Sequence, residues 1–152
     1  LTTDGAGALS WAAAGGGGFF GSTALIKIMP TEFFMNDDYS RAPVMVEDDT
    51  VNILGIKAPS SGTELYAFIV IPVGFKATTV KINTSAAVTN GVAAYEFNHR
   101  TGATVYKGIG DFNAVVNFTD ITSGIASNIV IKLYPASTTT VIYGGEITIV
   151  AV

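Results

Sequence analysis

The sequence predicts an all-β fold: an antiparallel β-sandwich, jelly-roll-like, led by an extended Gly/Ala-rich N-terminal segment. Three observations carry that prediction. Short runs of β-branched and aromatic residues alternate with a period of two. Gly, Pro, Asn, Asp and Ser punctuate them. No long window shows a 3.6-residue apolar period.

The strands follow in order. "STALIKIMP" reads as a strand from Thr23 to Met29, stopped by Pro30. "ELYAFIVIP" places Leu65, Ala67, Ile69 and Ile71 on one face and Tyr66, Phe68 and Val70 on the other. Both sets are apolar, so this strand is expected to be covered on both sides. "ATTVKINTS" turns Val80 and Ile82 inward and Lys81 outward. "VAAYEFNH" and "ATVYKGIG" flank the turn "HRTG", where Gly102 can take a positive φ. "SNIVIKLYP" points Ile129, Ile131 and Leu133 one way and Asn128, Val130 and Lys132 the other. The long closing strand lies in "TTTVIYGGEITIVAV", and Gly144–Gly145 marks a bulge or a close backbone approach. The count is about eight strands, which suits two sheets packed face to face. The inward set Leu65, Ile69, Ile71, Val80, Ile82, Ile129, Ile131 and Leu133 is the expected core.

The stretch "LTTDGAGALSWAAAGGGGFFG" differs from the rest. It has one Trp, Trp11, and too little apolar area for a core of its own. Its composition is that of a connector. The chain is therefore divided into a connector or arm at 1–21 and a sandwich at 22–152. A domain-swapped arm clamping a neighbour is the alternative for the first part.

Composition limits function. The 152 residues are 49% hydrophobic and only 13% charged, against about 25% in ordinary domains. So uncharged a surface suits an assembly. The net charge of −4 argues against a nucleic-acid partner. No apolar run reaches the roughly 20 residues of a membrane-spanning helix, so no membrane insertion is expected. There is no Cys, which excludes disulfides and thiolate chemistry.

No constellation of residues favours catalysis. "GAGALSWAAAGGGG" lacks the Lys-Ser/Thr pair of a phosphate loop and the strand and helix that frame a dinucleotide loop. His99 is the only histidine, and its place at a hairpin end reads as a local hydrogen-bonding role. One His without Cys cannot build a transition-metal site within one chain. The acidic runs Asn36-Asp37-Asp38 and Glu47-Asp48-Asp49 could offer oxygen ligands to calcium, but they lack the spacing of a calcium loop and read as solvated turns. Catalytic, cofactor-binding and metal-binding residues are therefore all expected to be none, and no cofactor is expected.

The phrases "IKIMPTEFFMNDD", "IPVGFKATTVKI", "YEFNHRTGATV", "TDITSGIASNIVIKLYP" and "VIYGGEITI", spread from Ile26 to Ile149, carry a resemblance. In that order they resemble a domain of virion structural proteins of tailed bacteriophages, marine and cyanobacterial ones especially. The opening "TDGAGALSW" resembles junctions in phage fibre and tail proteins. The resemblance implies a non-enzymatic structural protein of the virion, in a trimeric fibre-like appendage. Its partners would be its own copies and other virion proteins. Two alternatives stand beside that reading: a capsid decoration or cement protein, and a module that binds host-surface glycan. The low charge, the two-sided strand "ELYAFIVI" and the apolar end "EITIVAV" predict a parallel homotrimer, with the C-terminal strand and the 1–21 connector in the contacts.

Overall fold

The structure is a computed structural model of the chain, describing residues 2–3, 9–10, 22–36, 43–48 and 53–152. In chain order its strands are β1 (Thr2–Thr3), β2 (Leu9–Ser10), β3 (Thr23–Ile28), β4 (Phe34–Met35), β5 (Val44–Asp48), β6 (Ile53–Lys57), β7 (Leu65–Ile69), β8 (Phe75–Thr84), β9 (Val92–Asn98), β10 (Thr104–Gly110), β11 (Val115–Thr122), β12 (Ser127–Leu133) and β13 (Val141–Ala151). The only helix among the described residues is a single 3₁₀ turn, Pro30–Glu32. It begins where Pro30 ends β3, since proline cannot donate to a ladder.

Two antiparallel sheets form the sandwich. One has the order β10-β9-β12-β7-β4; the other runs β11-β8-β13-β6-β5, with β3 also paired to β13. From β7 to β13 the chain crosses between sheets at every connection except the β9–β10 hairpin, which is the jelly-roll way of winding a sandwich. That hairpin turns at Gly102, whose φ is +74°. Sequence punctuation located it correctly. Six strands were not named from sequence: β1, β2, β4, β5, β6 and β11. Each is short or carries polar residues at alternate positions, as in "VVNFTDIT".

The core lies between the sheets. All eight residues expected inside are buried, joined by Phe75, Phe112, Ile121, Ile142, Ile147 and Ile149. The doubled glycine in β13 is a bulge: register shifts between Ile142 and Gly144. Gly144 has φ +110°, and a Cβ there would lie 2.5 Å from the carbonyl oxygen of Ile28. Only glycine fits such a position.

Two expectations about surface are corrected. The second face of "ELYAFIVI" is open in the single chain: among the described residues no layer covers Phe68 or Val70, which are 56% and 72% exposed. The C-terminal strand is not a greasy edge either. β13 is a central strand, bonded to β8 on one side and to β6 and then β3 on the other. Its Ile147 and Ile149 belong to the core. Trp11, Asp37, Asp38 and Asp49 lie outside the described residues, as do the side chains of Glu47 and Asp48.

Candidate functional site on the outer face of the five-stranded sheet

Strand alternation sends every second residue of β7, β12, β9 and β10 away from the core. Register then sorts these outward residues into rows. Phe34, Tyr66, Lys132 and Ala93 face one another across β4, β7, β12 and β9. Phe68, Val130, Tyr95 and Tyr106 form the next row. Asn128, Phe97 and Thr104 form the third, and Val70 continues β7 beside it. Six of these residues are aromatic, on a face that in a half-solvated antiparallel sheet is ordinarily polar.

The rings are not scattered. Phe68 and Phe97 meet edge to face with centroids 5.3 Å apart, reaching over β12. Tyr95 and Tyr106 pair in the same manner at 5.7 Å. Val130 sits beneath these rings and is buried although it points outward. Such pairs hold their rings in fixed orientations and contribute about 0.5–1.5 kcal/mol each beyond area burial.

Next to the Phe68–Phe97 pair the face deepens into a cleft of about 450 Å³. Its far wall is made by the turn after β7, with Val73, and by the β11–β12 loop, with Gly124 and Ile125. Val73 is 94% and Ile125 83% exposed, so the lip of the cleft is apolar. Polar groups stand on the β9 and β12 side. Asn128 Nδ2 lies 3.0 Å from His99 Nδ1 and 3.3 Å from the Ala126 carbonyl oxygen. Ser127 Oγ donates to Glu96 at 3.0 Å. The hairpin-end histidine is expected from sequence to bond within its own turn; its ring instead meets Asn128 of β12, and it lines this cleft.

At the other end of the face the polar groups are charged. Lys132 Nζ lies 2.6 Å from Glu64 Oε1. Its ammonium also stands over the rings of Tyr66, at 5.4 Å, and Tyr134, at 4.7 Å. Glu64 Oε2 accepts from the Tyr66 hydroxyl at 2.8 Å and from Asn36 Nδ2 at 3.4 Å. Partial burial opposes the charge on Glu64, but the hydrogen bonds from Lys132, Tyr66 and Asn36 outweigh it and hold the carboxyl below its ordinary value. Burial likewise opposes the charge on Lys132, yet the Glu64 carboxylate and the Tyr66 and Tyr134 hydroxyls keep its proton on more firmly than usual. A hydrogen bond with Tyr134, assisted by burial, pushes the Tyr95 hydroxyl up to about 12.

The arrangement offers ring faces flanked by hydroxyl, amide, imidazole and carboxylate groups. His99 is engaged at Nδ1 by Asn128. Among the described residues no three His, Asp or Glu side chains stand together as a cation cage. No residue of this face was singled out from sequence as a site except His99, which was considered and set aside. The available signal was the aromatic second face of β7, together with Tyr95 and Phe97 in "VAAYEFNH".

No family model matches the sequence, and no curated protein matches it. Among solved structures the fold is similar to the N-terminal part of an endo-1,4-β-D-xylanase 10B from Clostridium thermocellum, described as its CBM22-1–GH10 modules complexed with xylohexaose. That likeness has 14% identity and a TM-score of 0.44, and it covers 82% of this chain but 27% of the other, so the chain spans about a quarter of that protein's length. It is also similar to the C-terminal CBM6 of LamC, a marine laminarinase from Zobellia galactanivorans, with 11% identity, a TM-score of 0.45, and coverage of 83% and 98% of the two chains.

Proposed function

We propose that this chain is a non-enzymatic β-sandwich module that binds glycan on the outer face of its five-stranded sheet. The observation that carries the reading is the fixed, solvent-open pair Phe68 and Phe97 beside His99, Asn128 and Ser127. A sugar ring has an apolar C–H face and a rim of hydroxyls. It is matched by an aromatic surface with a few placed donors and acceptors around it. The setting we propose is the virion, where such a module at the end of an appendage would grip host-surface glycan. Affinity electrophoresis in gels containing polysaccharide, or retention on isolated host envelope material, tests it. Retardation that Phe68→Ala with Phe97→Ala abolishes supports the reading. No retardation on any glycan or envelope preparation refutes it.

A second reading is favoured by the apolar lip. Val70, Val73 and Ile125 together with Phe68 make an exposed patch of the sort that assembly buries. In a homotrimeric fibre this patch, rather than the central strand β13, would supply the contacts. Light scattering separates the two: a mass three times the subunit's, reduced by Ile125→Asp with Val73→Asp, supports the trimer. A monomer that binds glycan leaves the face to its ligand.

A further inference from the structure

We infer that the glycan taken by this face is an uncharged one, read by a self-neutralised donor–acceptor pair rather than by a net charge. The inference rests on the binding reading above and narrows it to a ligand class. Among the described residues, the charged side chains that point out from this face are matched to each other, Arg100 apart: Lys132 is held by Glu64 at 2.6 Å. Lys107 and Glu96, bonded at 2.8 Å, stand on the other side of the sheet, since Glu96 lies opposite the inward Ile129. One ammonium and one carboxylate group cancel. Arg100, on the exposed β9–β10 turn, enters no ion pair among the described residues, and its backbone N–H donates to Asn98 Oδ1 at 3.0 Å.

An anionic polysaccharide would find no unpaired cation among the described residues at the ring faces, and it would meet the Glu64 carboxylate. A neutral one would find both halves of what a pair of neighbouring hydroxyls needs. Glu64 Oε1 takes one of the three Lys132 N–H groups and keeps a second lone pair, while the other N–H groups face the Tyr66 and Tyr134 hydroxyls, with which a sugar hydroxyl would exchange. A charged donor and a charged acceptor side by side make short, strong hydrogen bonds to hydroxyls without attracting ions from a distance. The Lys132 ammonium already lies over Tyr66 and Tyr134, and the exposed rings left open on the neighbouring strands are those of Phe34 and Phe68. Lys132 and Asn128 are four residues apart on β12, so the polar groups at the two ends are about 13 Å apart. That is longer than one sugar ring, so the ligand is an oligomer.

The test is affinity electrophoresis and titration calorimetry of the whole chain at low and high salt. The probes are soluble neutral polysaccharides (a glucan, a mannan and a xylan) and anionic ones (polygalacturonate, alginate and a sulfated galactan). The expected result is binding to at least one neutral chain, with affinity changing less than about twofold with salt because no net charge is screened. The exposed variant Arg100→Ala should bind equally well. Lys132→Met should weaken neutral-chain binding by about tenfold or more, a loss of ~1.4 kcal/mol, and Glu64→Gln with Lys132→Met should not restore it. Binding confined to anionic chains, falling with salt and lost in Arg100→Ala, overturns the inference and leaves the glycan-binding reading standing. Binding to neither class overturns both.

Discussion

The two outer faces of the sandwich are built from the same kind of strand and differ in what they present. On the six-stranded sheet the outward rows read Val115, Lys81, Glu146, Lys27 and then Asn117, Thr79, Thr148, Leu25. Lys and Glu alternate across strands, and Thr79 Oγ1 donates to Thr148 Oγ1 at 2.8 Å. Lys76 and Asp120 add an exposed ion pair at 2.7 Å. This is how an antiparallel sheet ordinarily meets water. On the five-stranded sheet the corresponding rows carry Phe34, Tyr66, Phe68, Tyr95, Phe97 and Tyr106. Both faces stand on the same core, so packing does not account for the difference. The lesson is that one face meets water through polar and charged side chains and the other through aromatic rings.

The comparison breaks if the inner faces are misassigned, and that test has the largest expected effect. Ile131 lies between the aromatic face and the core, pointing inward from β12. Ile131→Ala should destabilise the fold by about 2–5 kcal/mol, read by chemical denaturation. A change within error would show the alternation to be inverted and the face to be core. Gly144→Ala should cost nearly as much. It sets a Cβ against the Ile28 carbonyl at a positive φ, and its melting temperature should fall well below that of a Gly102→Ala control, which meets no atom within 4 Å.

Truncating the rings sharpens the contrast between binding and stability. Phe68→Ala and Phe97→Ala should each weaken glycan binding about tenfold, ~1.4 kcal/mol, while the fold loses less than that because Phe68 is largely exposed. Thr79→Ala on the opposite face should leave binding unchanged and cost about 0.2–1 kcal/mol of stability through the lost Thr148 pair. Equal effects on binding from both faces would erase the distinction.

The smallest effect concerns pH. The Glu64 carboxyl is held low, so its contribution is present above the unfolded pKa and is lost as acid takes the pH down through the folded value. Lys132 is shifted the other way. Its contribution is full below the unfolded pKa and is lost only as pH rises through the folded value, in strong alkali. The pair should therefore persist from about pH 5 to about pH 10. Melting curves should be flat across that window. Glu64→Gln should shrink the acid-side fall, and an unchanged fall would place the acid sensitivity elsewhere.

Alternation and punctuation are local properties, and they determined the all-β class, the inward residues of β7, β8 and β12, the Gly102 hairpin and the Gly144 bulge. A period of two assigns residues to faces without knowledge of any neighbour. It cannot say what lies beyond a face. Tyr66, Phe68 and Val70 therefore looked like a second buried layer, because an apolar face is usually a covered one. Only the tertiary structure shows that Phe68 and Val70 are exposed among the described residues. Register was equally out of reach. Glu64 is far in the chain from Lys132 and Tyr134, as Phe68 is from Phe97, and pairing of β7, β9 and β12 brings them together. Which strands pair is decided by how two sheets of limited width close over one core. The sequence alone therefore determined what faces the inside, while the closure of the sheets decided what gathers on the outside.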